Sequence, residues 1–534
     1  MPLPAGKTPW PPEPLQPVYQ RLASWSAWYS GSPDDLARTY GAYSAAPYDS
    51  TGLARIREHP SQYRGGVVGW FARWFWGEPF TLNQKRTKLH IPIAADIAAT
   101  SADLLFAEPP SVKVDDDATQ KRLDELIDDG VHATLLEAAE VCAALGGVFL
   151  RVCWDEELAK RPWLDAVHAD AAVPEWQWGR LAAVTFWREL SDENQVVIRH
   201  LERHEPGYIL HGLYEGTATD LGEPIPLSEV PQMEKIADVV DETGAIPTGI
   251  DKLTAVYIPN MRPNRLWRSL PAAAPMGRSD FSGTESLMDS LDEVVSSWMR
   301  DIRLGKARLL VPDTYMQSLG QGQGARWDPE REVYEALNML AAPGDNMITQ
   351  SQFKIRVQEH KDTAYDLMTR IVSAAGYEAQ TFGLQGENTR PLTATEVAAR
   401  ERKSYTTRSR KINYMRPQLA DFYETLLLID RAVFKTDVTP SRPDLEWGDG
   451  VSEDPTTTAQ TAQMLRAAEA ASTDTLVRLV HPDWDDAAVS EEVAKITDEK
   501  QSSMSVPGLG DGMGPTGPGT PDGQMQQDPA AYGG

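Results

Sequence analysis

The stretch 277–312, GRSDFSGTESLMDSLDEVVSSWMRDIRLGKARLLVP, carries the reading of the fold. Ser282 followed by Glu285 fits a capping box, and Leu287, Leu291, Val294, Trp298 and Ile302 recur at three- or four-residue steps, which is one face of a helix. A helix of about 23 residues would extend about 35 Å. Arg300, Arg303 and Lys306 gather at its far end, where cations complement the helix dipole. ARLLVP, a glycine-rich SLGQGQGAR (318–326) and the strand-like FKIRVQEH (353–360) then predict a small β excursion. A second helix over 359–375 returns from it, with Leu367, Met368, Ile371 and Val372 apolar and Gly376 placed as its C-cap.

Downstream, YEAQTFGLQGENTRPL (377–392) has no clear period and carries Gly383, Gly386 and Asn388, so it reads as a mobile loop. Thr393 and Glu396 form another capping box and open a long helix that Pro417 should kink, because proline removes a backbone donor. Residues 455–500 read as two or three short helices. Residues 501–534, rich in Gly, Pro, Gln and Met and without Lys or Arg, are expected to be disordered.

Upstream, residues 1–17 hold seven prolines and are expected to be extended, over the folded body or toward a neighbour. Trp25, Trp28 and Tyr29 begin the first packed segment, and GWFARWFWGEPF (69–80) supplies a dense aromatic patch of the kind that anchors a core or a subunit contact. The pattern IPIAADIAATSADLLF (91–106) suits a buried helix, and EPPSVKV turns into an extended segment. Residues 119–145 look helical and GGVFLRVCW continues as a strand. LAAVTFWREL, QVVIRHLERHE, GYILHGLYEG and LTAVYIPN are further strands, as in a mostly antiparallel sheet. The fold class is therefore α+β, with 18–265 as one mixed domain.

At 534 residues the chain has room for three or four units, and 41% hydrophobic with 24% charged residues is ordinary for a folded protein. The balance of 51 Lys+Arg against 78 Asp+Glu gives a net charge of -27, which argues against a broad basic surface for nucleic acid. No apolar run reaches the length of a signal peptide or a membrane span, so the protein is expected to be soluble and unsecreted. Cys142 and Cys153 stand outside any zinc spacing and read as two reduced thiols.

The signatures of the commonest chemistries are missing from the sequence: no GxxxxGK[ST], HExxH, GxSxG or EF-hand loop occurs. His200 and His204 lie on one side of a strand without a convincing third metal ligand, and Asp115, Asp116 and Asp117 read as a solvated turn. One charge anomaly stands out. Arg400, Arg402, Lys403, Arg408, Arg410, Lys411 and Arg416 crowd a stretch with the single acid Glu401 and surround most of the helix. Pairing with acids across a subunit boundary is the favoured reading; contact with a polyanion is the other. Residues 437–500, with fifteen acids against five Lys+Arg, would present a strongly acidic surface.

This order of elements, together with GRSDFSGTESLMDSLDEVVSSWMRDIRLGKARLLVP and TATEVAARERKSY, resembles the portal proteins of tailed bacteriophages. The resemblance implies a portal-like subunit: a proline-rich arm (1–17), an α+β wing (18–265), a linker and first stem helix (266–306), a small β clip (307–357) and a second stem helix (358–376). A tunnel loop (377–392), a long kinked helix (393–435), an acidic helical crown (436–500) and a Gly/Pro/Gln tail (501–534) follow. It implies Gln385, Glu387, Asn388 and Arg390 as the loop residues facing DNA, and Leu291, Val294, Trp298 and Ile302 as stem packing.

It further implies a twelve-subunit ring at one capsid vertex of the virion, built in the host cytoplasm without a membrane. The ring would pass double-stranded DNA during packaging and ejection, and would contact terminase, the head-tail adaptor, and the major capsid and scaffold proteins. No catalytic residue, cofactor or metal is implied. A minor head or scaffold protein without a channel, and a nucleic-acid-processing enzyme, are the alternatives. Ring-shaped particles separate the first from a portal, and metal-dependent DNA cleavage would favour the second.

Overall fold

The computed structural model describes residues 3–40, 89–193, 196–304, 308–312, 334–337, 349–351, 356–384, 394–448, 455–481, 484 and 486–504. The chain divides into two compact units, Met1–Gly450 and Val451–Gly534. The aromatic patch at 70–76, the glycine-rich loop at 318–326, the capping residue Thr393 and the tail from 505 lie outside the described residues.

The first unit opens with the proline-rich arm, which lies on the body: Trp10 is buried and meets Trp187 edge to face, and the Lys7 and Trp10 amides donate to Gly222 and Thr219. Helices α1 (Gln16–Ser30) and α2 (Pro33–Thr39) follow, and α1 buries Trp25 and Trp28 completely. The apolar helix α3 (Ile93–Phe106) sits in the core, as its sequence demands. Strand β1 (Ser111–Lys113) leads to α4 (Asp117–Ile127), and Asp116 of the acidic triplet is that helix's N-cap, accepting from the Thr119 amide at 2.9 Å.

The single helical stretch expected over 119–145 is two helices, α4 and α5 (Val131–Leu145). They part at Gly130, whose φ of 89° is left-handed and interrupts the helix. Strands β2 (Gly147–Cys153), β3 (Trp163–His168), β4 (Ala172–Gln177), β5 (Arg180–Glu193), β6 (Val196–Glu205), β7 (Tyr208–Thr217) and β8 (Asp220–Ile225) come next. Helix α6 (Glu234–Val239), β9 (Ala245–Pro247) and β10 (Ala255–Pro259) complete the region.

These strands form two sheets rather than one. The larger runs β4-β5-β6-β7-β8, with β9 beside β8 on the outer edge of β7; the smaller runs β10-β2-β3, and every pairing in both is antiparallel. Both faces of β6 are covered, so its charged residues find partners: Arg203 holds Glu175 and Glu205, and Arg199 holds Glu189.

Helix α7 (Glu285–Leu304) then leaves the body, β11 (Arg308–Pro312), β12 (Tyr334–Leu337) and β13 (Thr349–Ser351) form a small mixed sheet, and α8 (Val357–Ala375) returns. Val357 and Gln358, read as the end of a strand from their sequence, already belong to the first turn of α8, two residues before the expected start at Glu359. Helix α9 (Ala394–Phe434) runs through Pro417 without ending, and Arg122 fixes its last part by a two-pronged bond to the buried Asp430 at 2.9 and 3.0 Å. Strand β14 (Asp444–Glu446) pairs with β1, so the first unit reaches past the expected boundary at 436.

The second unit contains α10 (Pro455–Ala467), α11 (Thr473–Val480) and α12 (Asp486–Met504). Ser472 caps α11, and Val477 and Val489 are its buried apolar residues among those described. Helix α12 continues four residues into the segment expected to be disordered.

Candidate functional site

Helices α7 and α8 lie antiparallel, and their common root is built from the loop before α7. Gly277 packs on the β2 turn so closely that a Cβ there would lie 2.1 Å from the Gly146 carbonyl oxygen. The same loop turns Asp280 inward, fully enclosed. Its carboxylate accepts from Lys411 Nζ at 2.5 Å, Tyr377 OH at 2.8 Å and Asn260 Nδ2 at 2.7 Å, and Lys411 also donates to Ser101 Oγ at 2.5 Å. One buried carboxylate thus joins the loop before α7, the residue after α8, the middle of α9 and, through Ser101, α3. Burial, and next the Asp280 charge, push the Tyr377 phenol well above its ordinary range, so it stays a donor.

Two more acids serve the root. Glu285 accepts from the Gly283 amide at 2.7 Å and from Trp25 Nε1 at 3.0 Å. The helix starts one residue after Thr284, whose carbonyl takes the first helical bond, so the Ser282 side of the expected capping box falls too early in the chain. Asp292, also buried, accepts from Tyr40 OH, His90 Nδ1 and the Ile91 amide, all within 2.9 Å. Sequence reading missed Asp280 and Asp292. The signal for Asp292 was its place on the apolar stripe beside Met288 and Leu291; Asp280 gave none, because its donors come from 20 to 131 residues away.

Toward the tip the packing thins. Of the four stem residues named from sequence, Leu291 is enclosed in the core and Val294 packs against it. Trp298 is half-buried and stacks on His360 of α8, with ring centroids 6.3 Å apart, while Ile302 is 41% exposed. Asp301 closes the tip, accepting from His360 Nε2 at 3.0 Å and Arg356 Nη2 at 3.2 Å; the His360 bond, more than Arg356, keeps its carboxyl below the ordinary carboxylate range.

The basic block on α9 points to several neighbours, as its spread around the helix requires. Four of its cations have partners within the same chain. Lys403 donates to the Ser373 carbonyl at the end of α8, Arg408 to Leu104 and Gly448 carbonyls, Arg410 to the Arg262 carbonyl, and Lys411 to Asp280. Beside the favoured expectation of acids across a subunit boundary, these four have internal acceptors: Lys403 and Arg408 reach the carbonyl ends of α8 and α3, Arg410 a loop carbonyl, and Lys411 the buried Asp280. Arg416 lies over the Trp447 ring at 5.8 Å, and Arg402 is exposed. The Arg400 side chain and the loop candidates Gln385, Glu387, Asn388 and Arg390 lie outside the described residues.

His200 and His204 join a polar layer between the two sheets. His204 Nε2 donates to Glu202 at 2.7 Å and its Nδ1 meets Thr254 Oγ1 at 2.6 Å, and His200 meets His211 at 3.1 Å. Burial opposes the Glu202 charge, but the bond from His204 and the nearby Arg151 hold its carboxyl well below the ordinary range. Burial pulls His200 down to about 3 and His211 down to about 4, so both rings are neutral at pH 7. Among the described residues no three His, Cys, Asp or Glu side chains are grouped to hold a metal. Cys142 and Cys153 are free thiols whose pKa burial pushes up to about 12, and no described helix is long and apolar enough to cross a membrane.

The family model "Phage portal protein, SPP1 Gp6-like" matches residues 81–505. No curated protein matches. Among solved structures, a chain from the neck of a native GTA particle computed with C12 symmetry aligns at 11% identity, covering 73% of this chain and 89% of that one. Its TM-score of 0.37 is too low to bear on fold or function. The family model spans both units and includes the root, the helix pair and α9, and on that extent this chain belongs to the SPP1 Gp6-like family of phage portal proteins.

Proposed function

We propose that this chain is the structural subunit of a ring at one capsid vertex, through which double-stranded DNA enters the head and later leaves it. The family match over residues 81–505 carries this reading. Helices α7 and α8 would be the stem, β11–β13 the clip, residues 377–392 the tunnel loop, anchored rather than mobile at its start by the buried Tyr377 and the turn Ala379–Phe382, the body with α9 the wing, and the three helices after 454 the crown. Terminase, the head-tail adaptor, and capsid and scaffold proteins would be its partners, in a virion assembled in the host cytoplasm.

The chemistry supports a conduit that does no covalent work. Each phosphate neutralised adds to affinity through counterion release, so a channel lined with cations would hold the duplex. A chain with 78 acids against 51 Lys+Arg repels it evenly and lets it slide. In the basic block, Lys403, Arg408 and Lys411 are already engaged internally, which leaves fewer cations to grip DNA.

Purified full-length protein imaged by electron microscopy tests the reading. Rings with a central hole wide enough for a duplex, with about twelve-fold rotational symmetry, are expected. Monomers or solid particles at all concentrations would overturn it.

A further inference from the structure

The segment between β10 and α7, with the facing turn of α9, gathers arginines in a chain that is short of cations. Arg262, Arg265 and Arg278 have no ion-pair partner among the described residues, and neither does Arg410, whose one recorded bond is to the Arg262 carbonyl. The Arg278 Nε is buried without an acceptor. An enclosed donor left unmade costs free energy that an anion would recover.

The main chain at Arg278 is held on both sides. Its amide donates to the Met261 carbonyl at 3.0 Å, and its own carbonyl accepts from Asn260 Nδ2 at 2.9 Å. Asn264 holds the Gly277 carbonyl at 2.7 Å, and Arg410 and Tyr414 both donate to the Arg262 carbonyl. The backbone under the cluster is therefore fixed before any ligand arrives. The nearest internal carboxylate, Asp280, is already taken by Lys411, Tyr377 and Asn260. Burial first, and then the charges of Arg265 and Arg410, lower the Arg278 pKa.

We propose that Arg265, Arg278 and Arg410 form an oxyanion seat that takes carboxylates of a second copy of this chain. Guanidinium forks match a carboxylate in two-pronged geometry. Among copies that each carry an excess of 27 acids, a carboxylate is the abundant anion. The inference rests on the ring reading above: the seat would be one side of a repeated head-to-tail contact.

The test uses the full-length protein in two experiments. In the first, ring dissociation is followed by native mass spectrometry against sodium chloride for the unaltered chain, Arg265→Gln and the Arg265→Gln/Arg278→Gln pair. Arg265 is exposed, so its single substitution keeps the assay interpretable if the pair folds poorly. The dissociation midpoint is expected to fall at least twofold in salt for either variant. In the second, Arg265→Lys is mixed from isotopically light and heavy batches and treated with a carbodiimide. Amide crosslinks of mixed mass, joining position 265 to an Asp or Glu of another copy, are expected.

Unchanged salt tolerance together with no mixed-mass crosslink overturns the seat and leaves the ring standing. Loss of heparin or duplex binding in the variants, with ring stability unchanged, also overturns it by assigning the seat to a polyphosphate. An unaltered chain that never forms rings overturns the ring reading instead.

Discussion

At the root of the α7–α8 pair, Asp280 and Lys411 are 0% and 2% exposed and every oxygen of the carboxylate is occupied, whereas at the tip Asp301 meets an Arg356 that is 65% exposed. The root is closed by its own chain. The tip leaves Ile302 and Val357 open to solvent and Trp298 only half covered. A hairpin specified at one end and unfinished at the other is what a subunit needs if its neighbours supply the remaining contacts.

The sharpest way to break this contrast is Lys411→Met, which leaves the Asp280 charge enclosed without its cation. A loss of about 3–5 kcal/mol in urea unfolding is expected. The pair Asp280→Asn/Lys411→Met should cost less than Lys411→Met alone, because no charge is then stranded. Equal costs would mean that the root is held by packing and not by the ion pair.

Leu291→Ala is expected to cost about 2–5 kcal/mol, as for other enclosed leucines, and Ile302→Ala at most about 0.5 kcal/mol. Similar values for the two, measured on dissociated subunits, would erase the distinction between root and tip.

Acid should act on the body before it acts on the tip. His200 and His211 have folded-state pKa values of about 3 and 4, below the ordinary value of about 6.5. Between those limits the unfolded chain binds more protons, so stability present above about pH 6.5 is lost as pH falls toward 4, at about 1.4 kcal/mol per pH unit for each ring. Denaturation midpoints measured from pH 7 to 4.5 check this. His200→Gln should flatten the slope, and an unchanged slope counts against the assignment.

Trp298→Asp is expected to weaken ring assembly more than it lowers the unfolding midpoint of the body; retained rings over a destabilised body would contradict it. Asp301→Asn should lower the midpoint only slightly, since Arg356, one of its two partners, lies largely in solvent. A clear loss would place the tip among the self-sufficient parts of the fold.

How much of this was legible beforehand differs from element to element. The α7 stripe was visible because a 3.6-residue period needs only neighbours in sequence, and so was the glycine C-cap of α8, where Gly376 takes a φ of 103°. The break at Gly130 was marked by the turn-forming run Asp128-Asp129-Gly130, which the helical period on either side of it masked. Val357 and Gln358 were read as the end of a strand because a β-branched residue beside a polar one suits either structure. The basic block was read as pairing with acids of another subunit, yet Lys403, Arg408, Arg410 and Lys411 are bonded to acceptors 30 to 310 residues away in the same chain.

Sequence by itself determined the helices, the strands, the acidic excess and their order, because each follows from local periodicity or from a count of charges. Tertiary structure alone decided that Asp280 would be enclosed with Lys411, that the strands would divide into two sheets, and that Arg278 would be left without an anion. A buried charge is stable only where distant donors converge on it, and convergence is a property of the packed chain.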